Sequence, residues 1–165
     1  MKTIHLFLFS LLLLGACSAP DKPSLTLYLA MQRGDIEQIE RHIRWGSDMN
    51  QLDRDGFTPL QVAVMNGRTA IVRLLLKHGV EVDKPDRHGH TALYHAIMGG
   101  HILIADLLRK AGAKMDATPW LLDAARKGVR KRETIHYLVS HGADTEARDE
   151  NGDTPLLIAI RQGNH

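Results

Sequence analysis

The chain has 165 residues and a formal net charge of +2, with 21 Lys and Arg against 19 Asp and Glu. So small a charge argues against a general nucleic-acid binder, which needs a strongly basic surface. The single cysteine, Cys17, excludes an internal disulfide, and with it the class of small secreted domains that disulfides hold together.

The N-terminal residues have the pattern of an export signal. A basic start at Lys2 is followed by the apolar run 4–14 and then by small residues, a stretch too short to span a bilayer. Its ending, Leu14-Gly15-Ala16-Cys17, resembles the lipobox of bacterial lipoproteins. The resemblance implies lipidation of Cys17, and Ser18 after it implies the periplasmic face of the outer membrane. An ordinary signal peptide, cleaved after Ala16 or Ala19, is the alternative.

These features divide the chain into three predicted parts. Residues 1–16 form the signal peptide, 17–24 a short tether and 25–165 one folded domain. Removal of the first part takes away one Lys, so the formal net charge falls from +2 to +1.

A phrase that returns at a fixed interval organises the domain. The helix starts Thr58-Pro59-Leu60 and Thr91-Ala92-Leu93 lie 33 residues apart, and Thr154-Pro155-Leu156 follows 63 residues later. A period of this length predicts a stacked array of helical repeats, which usually presents a surface to partners.

The unit 53–79 shows the physical role of each recurring position. Asp-x-x-Gly predicts a tight turn at Gly56, and Thr58 is the expected cap of the first helix. Gly67 separates the two helices, and Gly79 follows the C-cap of the second. The unit resembles the ankyrin repeat, which implies an all-α solenoid of helix-turn-helix units joined by β-turn or hairpin loops.

Five copies are predicted, and only the second and third are regular. Their boundaries are 25–52, 53–85, 86–117, 118–148 and an incomplete 149–165. The first lacks the Thr-Pro-Leu opening, and the fourth has lost most of its turn and has gained two residues between its helices. The fifth should leave Leu156, Ile158 and Ile160 without their usual neighbour, which predicts a truncated chain or an unusual C-terminal cap.

The ankyrin resemblance implies that partners bind at the turn tips and on the exposed side of the first helices, which line a concave face. The predicted contact residues are Arg54, Asp55, Phe57, Gln61, Met65, Asn66, Arg87, His88, His90, Tyr94, Met98, Arg126, Lys127, Glu150 and Asp153. Arg54, Phe57, Arg87 and Tyr94 are the expected anchors, because aromatic residues and Arg dominate interface energies. For Tyr94 and Trp120, packing within the repeat stack is the alternative.

Two further clusters have competing interpretations. The basic run 126–132 is either a solvated loop or a dock for an acidic partner or anionic lipid headgroups. His88, His90 and His95 form the one histidine cluster with the character of metal ligands. No metal or cofactor is predicted, because zinc needs three or four ligands and no Cys is available; metal or small-ligand binding by these histidines is kept as an alternative.

Catalytic motifs are absent from the sequence, which has no nucleophile elbow, phosphate-cradling loop or His-Glu-x-x-His helix. The predicted function is therefore binding of another protein by a monomeric, lipid-anchored module in the periplasm, without nucleic acid and without enzymatic activity. The resemblance allows two versions: an immunity protein that sterically neutralises a periplasmic toxin such as a phospholipase effector, or a scaffold or helper for a resident periplasmic enzyme.

Overall fold

The computed structural model describes residues 21–163, which form nine α-helices and no strand. The predicted signal peptide and Cys17 lie outside the described residues. The helices are α1 Leu27–Arg33, α2 Ile36–Trp45, α3 Pro59–Met65, α4 Thr69–Lys77, α5 Ala92–Met98, α6 Ile102–Lys110, α7 Ala117–Arg126, α8 Arg132–Ser140 and α9 Pro155–Arg161.

The helices pair within each repeat and stack between repeats. Helix α1 packs on α3 and α3 on α5, while α4 packs on α6 and α6 on α8. The odd-numbered helices are the first helices of the five copies and the even-numbered helices are the second. The all-α solenoid predicted from the 33-residue period is confirmed.

Threonine caps start four of the five first helices in the described residues, and α7 lacks a side-chain cap. The hydroxyl of Thr58 accepts a hydrogen bond from the amide of Gln61 at 3.2 Å, and Thr91 and Thr154 cap α5 and α9 in the same way. Thr26 also caps α1, although Leu27 and Tyr28 follow it in place of the Pro-Leu or Ala-Leu that follows the other threonines. This cap was not predicted, because the sequence around Thr26 lacks the rest of the repeated phrase.

The Asp-x-x-Gly turn is a closed five-residue loop. The amide of Asp53 donates to the carbonyl of Phe57 at 2.9 Å, and the amide of Gly56 donates back to the carbonyl of Asp53 at 3.0 Å. Gly56 has a φ of +84°, which side chains resist, so glycine is required there. The turns 86–90 and 149–153 repeat both hydrogen bonds.

One continuous core runs through the stack. Leu60, Leu93, Leu108 and Leu138 are each no more than 1% exposed. Small residues stand beside them at the helix contacts, where Ala63, Ala96 and Ala124 are fully buried. Since a small side chain lets two helices approach closely, these buried alanines allow the helices to pack tightly around the leucines.

The fourth copy departs from the others at both ends of its first helix. Helix α7 begins at Ala117, so helix replaces most of the turn that precedes the first helix in the regular copies. It has 10 residues, whereas α3 and α5 have seven each. The basic run 126–132 was expected to fill a loop, but Arg126 ends α7 and Arg132 begins α8. Only residues 127–131 connect the two helices.

The ends of the described chain are held differently. Within the predicted tether, the amide of Ser24 donates to Oε1 of Gln38 at 3.0 Å, so its last residue is attached to the first repeat. In α9, Ile158 is 5% exposed, whereas Leu156 is 68% and Ile160 50% exposed. The expectation that all three lack a neighbour is wrong for Ile158.

No helix in residues 21–163 is long and apolar enough to cross a membrane.

Candidate functional site

We call the turn tips together with the exposed side of the first helices the first-helix face. Its turns contact one another: the amide of Arg87 donates to the carbonyl of Gly56 at 3.3 Å, and its guanidinium donates to the carbonyl of Arg54. The Arg87 side chain lies where a Cβ on residue 56 would stand, a second reason for glycine there. The tips of the second and third repeats therefore form one continuous edge.

The predicted contact residues divide by exposure into three groups. The exposed group is Arg54, Asp55, Met65, Asn66, Arg87, His88, Arg126, Lys127 and Glu150. The half-buried group is Phe57, His90 and Met98. Gln61, Tyr94 and Asp153 are buried, at 0%, 4% and 6% exposure. The prediction that these three side chains lie on the open surface is therefore wrong.

Gln61 is buried because it joins two repeats. Its Nε2 donates to the carbonyls of Lys84 and His90, each at 3.0 Å. Its Oε1 accepts from the amide of Thr58 at 2.7 Å, which completes a capping box on α3. The side chain therefore fixes the third turn rather than contacting a partner.

Tyr94 is buried because it bridges the third and fourth repeats. Its hydroxyl donates to Asp123 and accepts from Nζ of Lys127 at 2.6 Å, and its ring packs edge-to-face with Trp120 with centroids 5.5 Å apart. Packing within the stack, the alternative for both aromatic residues, is what the structure shows. Asp123 and Lys127 also form an ion pair at 2.9 Å.

Ionisation in this bridge follows its hydrogen bonds. Burial, together with the bond to Asp123, raises the pKa of Tyr94. Burial alone would raise the pKa of Asp123, but hydrogen bonds from Tyr94 and Lys127 outweigh it and lower that pKa. Burial alone would lower the pKa of Lys127, but its hydrogen bonds to Tyr94 and to Asp123 outweigh it and raise that pKa.

Much of the basic run is paired inside the protein. Arg126 forms an ion pair with Asp149 at 3.1 Å, and Lys131 donates to the carbonyl of Gly99. Asp153, in turn, pairs with Arg161. The Asp153–Arg161 pair lies within the fifth repeat, whereas the contacts of Arg126 and Lys131 link the fourth repeat to its neighbours.

The histidine cluster has a different membership from the predicted one. Asp86, His90 and His95 bring their ligand atoms within 4.8 Å of one another, and His88 is not among them. Sequence reasoning missed Asp86 because it was assigned to the turn, although it stands four residues before His90. Burial, and then the charge of Lys127, lowers the pKa of His90.

An apolar groove of about 480 Å³ lies between the fourth and fifth repeats. Its apolar lining includes Leu121, Val129, Ile135, Val139 and Leu156. Here α9 packs on α7, and the exposed Leu156 forms part of the rim.

Comparison with known proteins settles the family. A family model described as ankyrin repeats (3 copies) matches residues 27–119, and another described as ankyrin repeats (many copies) matches 121–165. The chain belongs to the ankyrin-repeat family. Ankyrin repeats are protein–protein interaction modules and generally carry no catalysis.

A curated relative shares part of this ankyrin-repeat chain. The ARF GTPase-activating protein Git of Drosophila melanogaster is 41% identical over 56 residues, which are 34% of this chain and 8% of that protein. Because the match spans so little of that protein's length, its activity is not carried over to this chain.

Proposed function

We propose that this ankyrin-repeat protein binds a partner protein through the first-helix face of its second and third repeats. The observation that carries the proposal is the continuous edge at residues 54–57 and 87–90, where hydrogen-bonded turns hold exposed side chains in place. Preorganised side chains lose little freedom on binding, so more of the contact energy appears as affinity.

The chemistry of the edge indicates the character of the partner. Arg54 and Asp55 place both signs of charge at the second turn, and Met65 adds an exposed apolar side chain on α3. Phe57 is half-buried beneath them. A partner with both signs of charge around an apolar centre matches this arrangement. Arg54, Phe57 and Arg87 stay the proposed anchors, and Tyr94 no longer belongs with them because it is buried.

The test is affinity capture of the full chain from cells with crosslinking, alongside the triple variant Arg54→Ala/Asp55→Ala/Met65→Ala. All three residues are exposed, so the variant should fold and should lose the partner. The matched control is Arg73→Ala/Lys77→Ala/Lys110→Ala, three exposed residues on second helices, which should retain it. If both variants retained the partner equally, the partner would not bind at the first-helix face.

We further propose that lipid on Cys17 holds the protein at the periplasmic face of the outer membrane. The support is the lipobox-like ending of the N-terminal apolar run. Several acyl chains, each contributing about 0.8 kcal/mol per buried CH₂, would give stable anchoring. Cys17→Ala should move the protein from the membrane fraction to the soluble fraction, and unchanged membrane retention would contradict the anchor.

Within this setting, we propose that the partner is a periplasmic toxin, such as a phospholipase effector, that the repeats block sterically. A scaffold or helper role for a resident enzyme is the second version of the same binding function. The captured protein discriminates between them: a toxin should lose activity on stoichiometric addition of the chain, whereas an enzyme served by a scaffold should retain or gain activity.

A further inference from the structure

We propose that Asp86, His90 and His95 form a binding site for a divalent transition-metal ion, with Zn²⁺ as the ion that best matches their chemistry. The three side chains meet where the turn of the third repeat leads into α5. Imidazole nitrogen and carboxylate oxygen are ligands that zinc takes in proteins. The site is independent of the proposed function, because it requires no partner protein.

Two of the three separations between ligand atoms are close to those of a tetrahedral site, and the two imidazole nitrogens lie within 4.8 Å of each other. Nε2 of His95 lies 2.8 Å from Oδ2 of Asp86, and Nδ1 of His90 lies 3.9 Å from the same oxygen. Metal–ligand bonds of about 2.0–2.1 Å place tetrahedral ligands roughly 3.3 Å apart. Each of the two separations therefore differs from the tetrahedral spacing by about half an ångström.

The carboxylate is already fixed in a suitable orientation. Its Oδ1 accepts the amides of His88 at 2.8 Å and of His90 at 2.9 Å. Oδ2 is thereby left to face the two imidazoles, in a side chain that is fully buried. Hydrogen bonds to a ligating side chain orient that ligand and strengthen a metal site.

Aromatic neighbours hold the two imidazole rings. The His90 ring stacks on Tyr94 with centroids 4.0 Å apart, and the His95 ring meets Phe57 edge-on at 5.8 Å. Nε2 of Gln61 donates to the carbonyl of His90, which fixes the backbone of that ligand. The ligand set is thus supported by residues of both the second and third repeats.

The repeat itself does not require these histidines. The helix position of His95 is held by Val62 in the second copy and by Ile158 in the fifth, and both are buried. The turn at Asp53 closes with the corresponding backbone hydrogen bonds without any histidine nearby in its own copy. The pair His90 and His95 is therefore a local departure that the fold alone does not explain.

One coordination position stays open to solvent. The side chain of His90 is 30% exposed and that of His95 is 16% exposed, so the cluster reaches the surface on one side. Three protein ligands leave the fourth position of a tetrahedral ion to water or to another ligand.

The experiment is titration of the full chain with ZnCl₂ alone, in a mild non-ionic detergent because of its apolar N-terminal run. Isothermal titration calorimetry should show one ion bound per chain. The double variant His90→Gln/His95→Gln keeps side chains that form hydrogen bonds but are poor ligands. It should weaken zinc binding at least about tenfold, because loss of only a hydrogen-bond partner of a ligand already costs about that factor. Thermal unfolding without metal checks that the variant is folded.

The matched control is His88→Ala, which removes an exposed imidazole from the same turn. It should keep the affinity, and zinc should raise the melting temperature of this variant and of the wild type but not of the double variant. Co²⁺ should give the visible absorption of a tetrahedral site in the same two proteins only. Absence of saturable binding, unchanged affinity in the double variant, or an equal loss in His88→Ala would each overturn the proposed ligand set.

Discussion

Gln61 shows how one side chain can hold two repeats together. It satisfies the carbonyls of Lys84 and His90 and the amide of Thr58 from a position that is fully buried. Because buried polar groups are costly when unpaired, loss of the amide affects three partners at once. The residue therefore matters for stability, although its position in the repeat had indicated a contact residue.

We expect Gln61→Leu to lower the free energy of unfolding by roughly 2–3 kcal/mol, since it keeps the volume and removes the hydrogen bonds. Urea denaturation followed by circular dichroism measures the change. Met65→Leu, on the same helix at 39% exposure, is the control and should change stability by less than about 0.5 kcal/mol. Similar values for the two variants would mean that the Gln61 hydrogen bonds add little.

At the scale of the helices, the same sequence position has opposite environments in different copies. Leu60 in α3 and Leu93 in α5 are 1% and 0% exposed, whereas the equivalent Leu156 in α9 is 68% exposed. In the first two cases the second helix of the repeat is present, and no second helix follows α9 among the described residues. Local sequence is alike in all three, so neighbouring elements decide the burial.

This difference predicts unequal effects of one substitution. Leu60→Ala should destabilise the protein by about 3–5 kcal/mol, because it leaves a cavity in the core. Leu156→Ala should cost less than about 1 kcal/mol, because its side chain gains little from folding. Parallel urea titrations of the two variants provide the comparison, and equal losses would show that Leu156 is covered in solution.

At the scale of the whole molecule, polar side-chain bridges join the irregular fourth repeat to the third and fifth repeats. Helix α5 packs on α8, and its contact with α7 runs through the bridge from Tyr94 to Asp123 and Lys127. Arg126 and Asp149 make a comparable link to the fifth repeat. Hydrogen bonds from Tyr94 and Lys127 hold the pKa of Asp123 below its ordinary value. The pKa of Asp149 is lowered chiefly by the hydrogen bond from the amide of Asp153 and then by the one from Arg126.

These shifts predict acid sensitivity of the array. A carboxyl with a lowered folded-state pKa stabilises the protein above its unfolded value, here 3.8, and that stability is lost as the pH falls through the folded value. Asp123→Asn should therefore be less stable than the wild type at pH 7, and the difference should shrink below about pH 4.

Urea titrations at pH 7, 5 and 3 measure this difference. Asp116→Asn is the control, because it removes an exposed carboxylate that makes no capping hydrogen bond. If the Asp123→Asn difference were the same at all three pH values, the bridge would not be coupled to ionisation.

The sequence by itself determined the period, the turns and the helix caps of this protein. Gly56 and Thr58 act through their own backbone geometry and through bonds a few residues away, so their roles follow from local chemistry. Tertiary structure alone decided the environments of Gln61, Tyr94 and Asp86. Gln61 and Tyr94 have partners in the next turn or repeat, and Asp86 meets His90 and His95 only because of how the three side chains are oriented. A sequence pattern does not specify which side chains meet across a stack.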